Sequence, residues 1–122
     1  MPYEFYKVMH VFGMFLLFLS LGGISLFTIN GGKKSENKWK AIVAITHGVA
    51  TLLILAGGFG LLAVKYSAGW PVWVYPKIFI WLLFGGVLAL AYKSEKIAKA
   101  LWVILPLLGG IATILAVYKP YE

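Results

Sequence analysis

The chain has 122 residues, of which 61% are hydrophobic and only 12% are charged. A water-soluble domain of this size could not bury so much apolar surface, so the composition excludes the soluble, disordered and fibrous classes and favours an integral membrane protein. The net charge of +7 comes from lysines that cluster between apolar runs, a pattern typical of membrane topology rather than of nucleic-acid binding. The absence of Cys excludes disulfides, thiolate metal sites and iron–sulfur clusters.

Four apolar segments define the predicted fold. Each has roughly the 20 predominantly apolar residues that an α-helix needs to cross the hydrocarbon core of a bilayer. They lie at about 6–29, 40–64, 72–92 and 98–118. Their short polar connections join antiparallel neighbours, so the sequence predicts an all-α, integral membrane four-helix up-down bundle, with residues 1–122 as a single transmembrane domain. Ser94 and Glu95 predict the start of the last helix, and Pro106 predicts a kink within it.

Lysines are distributed unequally between the two sides of this bundle. Seven lie in or beside the first and third loops: Lys33, Lys34, Lys38, Lys40, Lys93, Lys96 and Lys99. Four lie on the opposite side: Lys7, Lys65, Lys77 and Lys119. Because lysine-rich loops stay in the cytoplasm, we predict that loops one and three are cytoplasmic. The predicted location is the bacterial inner (plasma) membrane, as a multi-pass protein with both termini outside the cytoplasm.

Each predicted helix contains a pair of adjacent glycines. The pairs are Gly22-Gly23, Gly57-Gly58, Gly85-Gly86 and Gly109-Gly110. Small residues allow helix backbones to approach closely in lipid, so the pairs favour close packing within the bundle or in a homodimer through the Gly-rich helix faces. They are also compatible with room for a flat cofactor against the backbone.

Ionisable side chains inside the predicted spans are few, and they are the candidates for chemistry: His10, His47 and Lys77. Neutral His is the commonest ligand of transition metals and of haem iron, so both His are candidate metal or haem ligands. The alternative is hydrogen bonding between helices. With a rise of about 1.5 Å per residue, the two His lie roughly 20 Å apart along the membrane normal, which disfavours a single haem that bridges both.

Lys77 begins the third segment at nearly the depth of His10. A pocket shared by these two residues with Tyr6, Met14 and Trp81 is the preferred site. There the Lys77 ammonium would pair with a propionate or another anion. The alternative role for Lys77 is an interfacial anchor, because its flexible stem lets the ammonium reach the headgroup region.

Three stretches carry a resemblance to known families: Lys7-Val-Met-His10-Val-Phe-Gly-Met14, Thr46-His47-Gly48 and Trp73-Val-Tyr-Pro-Lys77-Ile-Phe-Ile-Trp81. Together they resemble the small SirB-like and CopD-like bacterial membrane proteins and, more distantly, the HemJ-type protoporphyrinogen oxidases. Those families are similar in being small helical bundles with a His early in helix one and a Lys early in helix three. The resemblance implies a b-type haem or a porphyrin-related role, with His10 and Lys77 at the matching positions.

The first functional hypothesis is a haem-binding, cytochrome b-like membrane protein that carries haem b and takes part in electron transfer with an unidentified redox partner. No catalytic residue is predicted. The alternatives are a cofactor-free structural or interaction subunit, and a copper-handling protein that uses Met9, His10 and Met14. A proton-coupled transporter is disfavoured because it needs an intramembrane carboxylate. The acidic residues lie only at chain ends or in loops: Glu4, Glu36, Glu95 and Glu122.

Overall fold

The computed structural model describes residues 3–66 and 68–118. Five helices form this part of the chain: α1 (Tyr3–Ile29), α2 (Lys40–Lys65), α3 (Val74–Gly86), α4 (Leu88–Ala91) and α5 (Glu95–Tyr118). A short 3₁₀ turn, Lys34–Glu36, lies between α1 and α2, and the described residues contain no strand. The all-α prediction is confirmed. Lys119, which entered the lysine count, lies outside the described residues.

Three of the helices, α1, α2 and α5, are long and apolar enough to cross a membrane. Large apolar side chains are exposed along all three, for example Phe15 in α1, Leu52 in α2 and Ile114 in α5. An apolar surface of this extent is costly in water and favourable in lipid. The structure therefore indicates a membrane protein, as the composition predicts.

The third predicted span, 72–92, is not one continuous helix. It consists of α3, with 13 residues, and α4, with 4 residues, separated by Val87. The break follows Gly85 and Gly86, and glycine is among the least favourable residues in a helix because its backbone is the least restricted. In contrast, α5 continues through Pro106. Helix length alone therefore supports three membrane spans, and the predicted third span is corrected to a broken segment.

Two helix ends show the local chemistry that fixes them. Gly31, just after α1, has a φ of 88°, a left-handed conformation that glycine adopts readily at a helix C-terminus. At the start of α5 the backbone N–H of Ile97 donates to the Ser94 hydroxyl at 3.1 Å. This is the N-terminal cap that Ser94 and Glu95 predict.

The helices α1 and α2 form an antiparallel pair with very close backbones. A Cβ added at Gly57 would lie 2.7 Å from the backbone N of His10, and one added at Gly13 would lie 3.0 Å from the carbonyl oxygen of Ala50. The contacting positions rise along α1 as they fall along α2, so the two helices are antiparallel. Since no side chain separates the backbones at these points, the absence of a Cβ is what allows the approach.

The core lies around α1, which also contacts α4 and α5. The buried positions of α1 follow a helical stripe: Gly13, Leu17, Ser20, Leu21, Ile24, Ser25 and Thr28. Phe18 of α1 packs edge-on against Phe84 of α3 and also faces Gly109 of α5. Near the C-terminus of α1, the ring centroids of Phe27 and Tyr92 are 6.5 Å apart. Thus α5 runs antiparallel to α1 and lies beside it.

The glycine pairs contribute unequally to the packing within this bundle, and packing between two copies through the glycine faces stays a prediction. Gly57 and Gly109 meet neighbouring elements closely, whereas Gly58 has only a marginal contact with the His10 ring. The other glycines of the four pairs have no described atom within 4 Å of an added Cβ: Gly22, Gly23, Gly85, Gly86 and Gly110. Their faces are open because the other four helices pack around one side of α1 and leave other helix faces uncovered.

Candidate functional site

His10 is held by the neighbouring helix. Its ring Nδ1 lies 2.8 Å from the carbonyl oxygen of Ile54 in α2. Because a carbonyl oxygen only accepts, Nδ1 carries the proton, and in the neutral ring Nε2 then carries the free lone pair. Gly58 flanks the ring, since a Cβ added there would lie 3.4 Å from its Cε1. The half-buried imidazole is therefore fixed in both orientation and tautomer.

Lys77, on α3, lies in the neighbourhood of His10. The two side chains are close enough to interact electrostatically. The Lys77 ammonium lies 5.6 Å from the ring centroid of Trp73, which stands one helical turn earlier and just precedes α3. Packing thus brings together the two residues that the sequence places at one depth.

The other residues of the predicted pocket, Tyr6, Met14 and Trp81, each lie one helical turn from His10 or Lys77 along the same helix. The Tyr6 ring, one turn before His10, packs against Gly60 of α2. Met14, one turn after His10, is half-buried. Trp81, one turn after Lys77, donates its indole N–H to the carbonyl of Thr51 at 3.0 Å. Trp81 therefore joins α3 to α2 through its polar edge.

His47 has different surroundings from His10. It is only 6% exposed, and its Nε2–H donates to the carbonyl of Phe84 in α3 at 3.0 Å. Gly57, which faces the His10 backbone, is ten residues further along α2, and this spacing corresponds to about 15 Å of helix rise. The separation is smaller than the roughly 20 Å expected from segment midpoints. The structure brings Lys77, and not His47, to His10.

The break in α3 explains why His47 is bonded to Phe84. In a continuous helix the Phe84 carbonyl would accept the N–H of Leu88, but α3 ends at Gly86 and α4 begins at Leu88. The His47 ring supplies a donor in place of the missing one. The sequence predicts His47 as a ligand or as a hydrogen-bond donor between helices, and it gives no sign of the interrupted helix whose carbonyl His47 binds.

Three buried polar atoms have no hydrogen-bond partner within residues 3–66 and 68–118: Ser25 Oγ, Thr28 Oγ1 and Trp73 Nε1. In the sequence, Trp73 is named only as the first residue of the third stretch that carries the family resemblance. One signal was available, because Trp73 and Lys77 are separated by four positions and so share a helix face. Trp73 is the functional candidate that the sequence reasoning missed.

The described residues offer no complete set of protein ligands for a metal ion. The described residues include no cluster of three or more His, Cys, Asp or Glu side chains that could hold a metal ion. A haem makes a smaller demand, since the porphyrin provides four ligands and the protein one or two axial ones. The donor chemistry of His10 fits an axial ligand, because an imidazole that donates one N–H to a carbonyl presents its other nitrogen in a fixed orientation.

Two apolar grooves on the surface include neither His10 nor Lys77. One runs along the outer face of α1 and is lined by residues such as Val8 and Phe12. The other lies between the α3–α4 segment and α5, and its lining includes Leu90 and Leu105. Both grooves are open to the outside of the protein.

Comparison with known proteins finds no protein-family model, no curated protein and no solved structure that matches this chain. The resemblance to SirB-like, CopD-like and HemJ-type proteins stays a prediction.

Proposed function

We propose that the chain crosses the bilayer four times, with α3, Val87 and α4 forming a broken third span. Residues 74–91 extend over about 27 Å at helical rise, close to the roughly 30 Å of the hydrocarbon core. Broken helices occur at membrane depth where protein groups satisfy the freed backbone. The bond from His47 to Phe84 supports this reading, because it satisfies one such carbonyl. An even number of spans puts both termini on one side, and the lysine count assigns that side to the exterior of the bacterial inner membrane.

We propose that this membrane protein binds haem b through His10. The single observation that carries the proposal is that His10, whose Nδ1–H is bonded to the Ile54 carbonyl, lies within electrostatic range of the Lys77 cation from α3. His10 Nε2 would be the axial ligand, and Ile54 would keep the ring in the required tautomer. Bound haem would supply reversible one-electron transfer to a redox partner.

The remaining residues of the site would bind and orient the group. Lys77 would hold a propionate, because no carboxylate of the described residues lies within ion-pair distance of it. Tyr6 and Trp81 would offer aromatic surface on either side of the His10 level, and Met14 a flexible apolar side chain. His47 would contribute a second site only if it released the Phe84 carbonyl.

An absorption spectrum of the purified protein tests this function. With haem bound or haemin added, we expect a Soret band and dithionite-sensitive α and β bands. His10→Ala should lower the haem content at least tenfold, and Lys77→Met should weaken haem retention while leaving the band positions nearly unchanged. His47→Ala is the matched control and should keep the haem. Equal loss from both His variants, or colourless protein that ignores haemin, would contradict the proposal.

A second candidate is a cofactor-free structural or interaction subunit. The observation that favours it is that His10, His47 and Trp81 all donate to backbone carbonyls of neighbouring helices. In that case the rings stabilise the bundle, and the open glycine faces would bind a second copy or another membrane protein. His10→Ala would then lower the unfolding temperature of a protein that never binds haemin. The copper alternative stays at Met9, His10 and Met14, to which the described residues add no His, Cys, Asp or Glu cluster.

A further inference from the structure

Trp73 carries a buried hydrogen-bond donor without an acceptor. The side chain is only 8% exposed, and its Nε1–H has no partner in the part of the chain that the structure describes. The ring packs near Leu62 and Val74 and meets Tyr66 edge-on, with the two centroids 6.1 Å apart. Buried indole N–H groups usually have an acceptor, because an unsatisfied donor in an apolar medium is costly. The site is therefore short of one acceptor.

Lys77 places a cation beside this donor. Its ammonium lies 5.6 Å from the Trp73 ring centroid, and the side chain is half-buried. Within the described residues no carboxylate forms an ion pair with it. Trp73, directly before α3, and Lys77, one turn later, thus bring a neutral and a charged donor close together, and neither has an acceptor among the described residues.

We propose that Trp73 and Lys77 together bind one oxyanion, a carboxylate or phosphate group. Each N–H to oxygen hydrogen bond spans about 2.9 Å, so one oxygen between the two donors can join groups up to about 6 Å apart. The ammonium supplies charge and the indole N–H supplies direction, a combination that favours an ionised acceptor over a neutral one.

This inference rests on the proposed haem function for one of its two sources of oxyanion. A haem propionate would reach the pair from the His10 side, whereas the phosphate of an anionic lipid would reach it from the headgroup region. Both present the same chemistry to Trp73 and Lys77. The experiment therefore has one arm for each source.

Trp73→Phe is the informative variant because it removes the N–H and keeps most of the aromatic volume over which the ammonium lies. Trp70→Phe is the matched control, since Trp70 is 41% exposed in the neighbouring loop. The full-length protein is titrated in detergent with haemin and with haemin dimethyl ester, which lacks the two carboxylates. In the second arm, the lipid retained after purification is measured by mass spectrometry with phosphatidylglycerol and phosphatidylcholine offered in equal amounts.

If the oxyanion is a propionate, Trp73→Phe should weaken haemin binding about five- to tenfold and leave ester binding unchanged, while Trp70→Phe changes neither. If it is a lipid phosphate, Trp73→Phe should abolish the preference for phosphatidylglycerol. That result would support the Trp73–Lys77 site even where no variant binds haemin, so failure of the haem proposal stays distinguishable. Normal haemin binding together with an unchanged lipid preference in Trp73→Phe would overturn the inference and leave the haem proposal standing.

An NMR measurement on the unaltered protein covers the case in which Trp73→Phe does not fold. The indole N–H resonances of ¹⁵N-labelled protein are followed during titration with short-chain phosphatidylglycerol, and separately with zinc protoporphyrin, which is diamagnetic and has both propionates. A downfield shift of the Trp73 N–H with either ligand, and none for Trp70, supports the oxyanion site. An unmoved Trp73 resonance with both ligands would show that the donor is satisfied in another way, for example by a buried water molecule.

Discussion

Replacing Gly57 with Ala introduces one methyl group at the closest approach of α1 and α2. The new Cβ would lie 2.7 Å from the backbone N of His10, 2.8 Å from the carbonyl oxygen of Tyr6 and 2.9 Å from the Cα of His10. Ordinary contacts between non-bonded heavy atoms are about 3.5–4.0 Å. Since all three neighbours are backbone atoms, no rotamer change can relieve the clash. The two helices must separate by roughly 1 Å, the difference between these distances.

The expected change in the free energy of unfolding of Gly57→Ala has three contributions. Overpacking of this kind typically destabilises by about 1–3 kcal/mol. Separation of the helices also weakens the hydrogen bond between His10 and Ile54, which contributes about 0.5–1.5 kcal/mol. Alanine stabilises the helix by about 1 kcal/mol relative to glycine, because its helix propensity is higher. The net loss in the free energy of unfolding should therefore be about 1–3 kcal/mol for Gly57→Ala.

Thermal unfolding in detergent, followed by far-ultraviolet circular dichroism, measures this loss. Gly58→Ala is the adjacent control, because its Cβ would lie 3.4 Å from an atom of the His10 ring, and Gly110→Ala is the open control, because nothing lies within 4 Å of its Cβ. Both controls should unfold at or slightly above the temperature of the parent protein. If Gly57→Ala unfolds with the controls, the close approach of α1 and α2 is not a stabilising contact and the packing account fails.

Two further predictions concern the broken span and the orientation. His47→Leu should lower the free energy of unfolding by about 1–3 kcal/mol, because it leaves the buried Phe84 carbonyl unpaired. His47→Gln keeps an N–H donor and should recover part of this loss. Equal unfolding temperatures for the parent and both variants would show that the Phe84 carbonyl needs no donor from His47. For orientation, a cysteine at Ser35 should be shielded from impermeant thiol reagents in intact cells and one at Ala68 should be labelled, while the reverse labelling would overturn the lysine-based assignment.

The sequence by itself determines the helical class and most helix bounds of this protein. The predicted segments 40–64 and 98–118 correspond to Lys40–Lys65 and Glu95–Tyr118. Such features are local, because the length of an apolar run, a lysine-rich loop and a serine cap act on the residues beside them. The prediction that His10 and Lys77 share one depth is local for the same reason, since it uses only the rise per residue.

Tertiary structure decides which polar group meets which partner. The sequence does not reveal that the third predicted span breaks at Val87, because a Gly-Gly pair occurs in every predicted helix and only the pair Gly85-Gly86 is followed by a break. Whether a glycine packs or stays open depends on the neighbouring helix, so Gly57 is tightly enclosed and Gly110 is not. The bond from His47 to Phe84 and the unpaired Trp73 N–H likewise depend on how α2 and α3 dock. Hydrogen bonds need donor and acceptor within about 3 Å, and that precision comes from packing between helices rather than from periodicity along one helix.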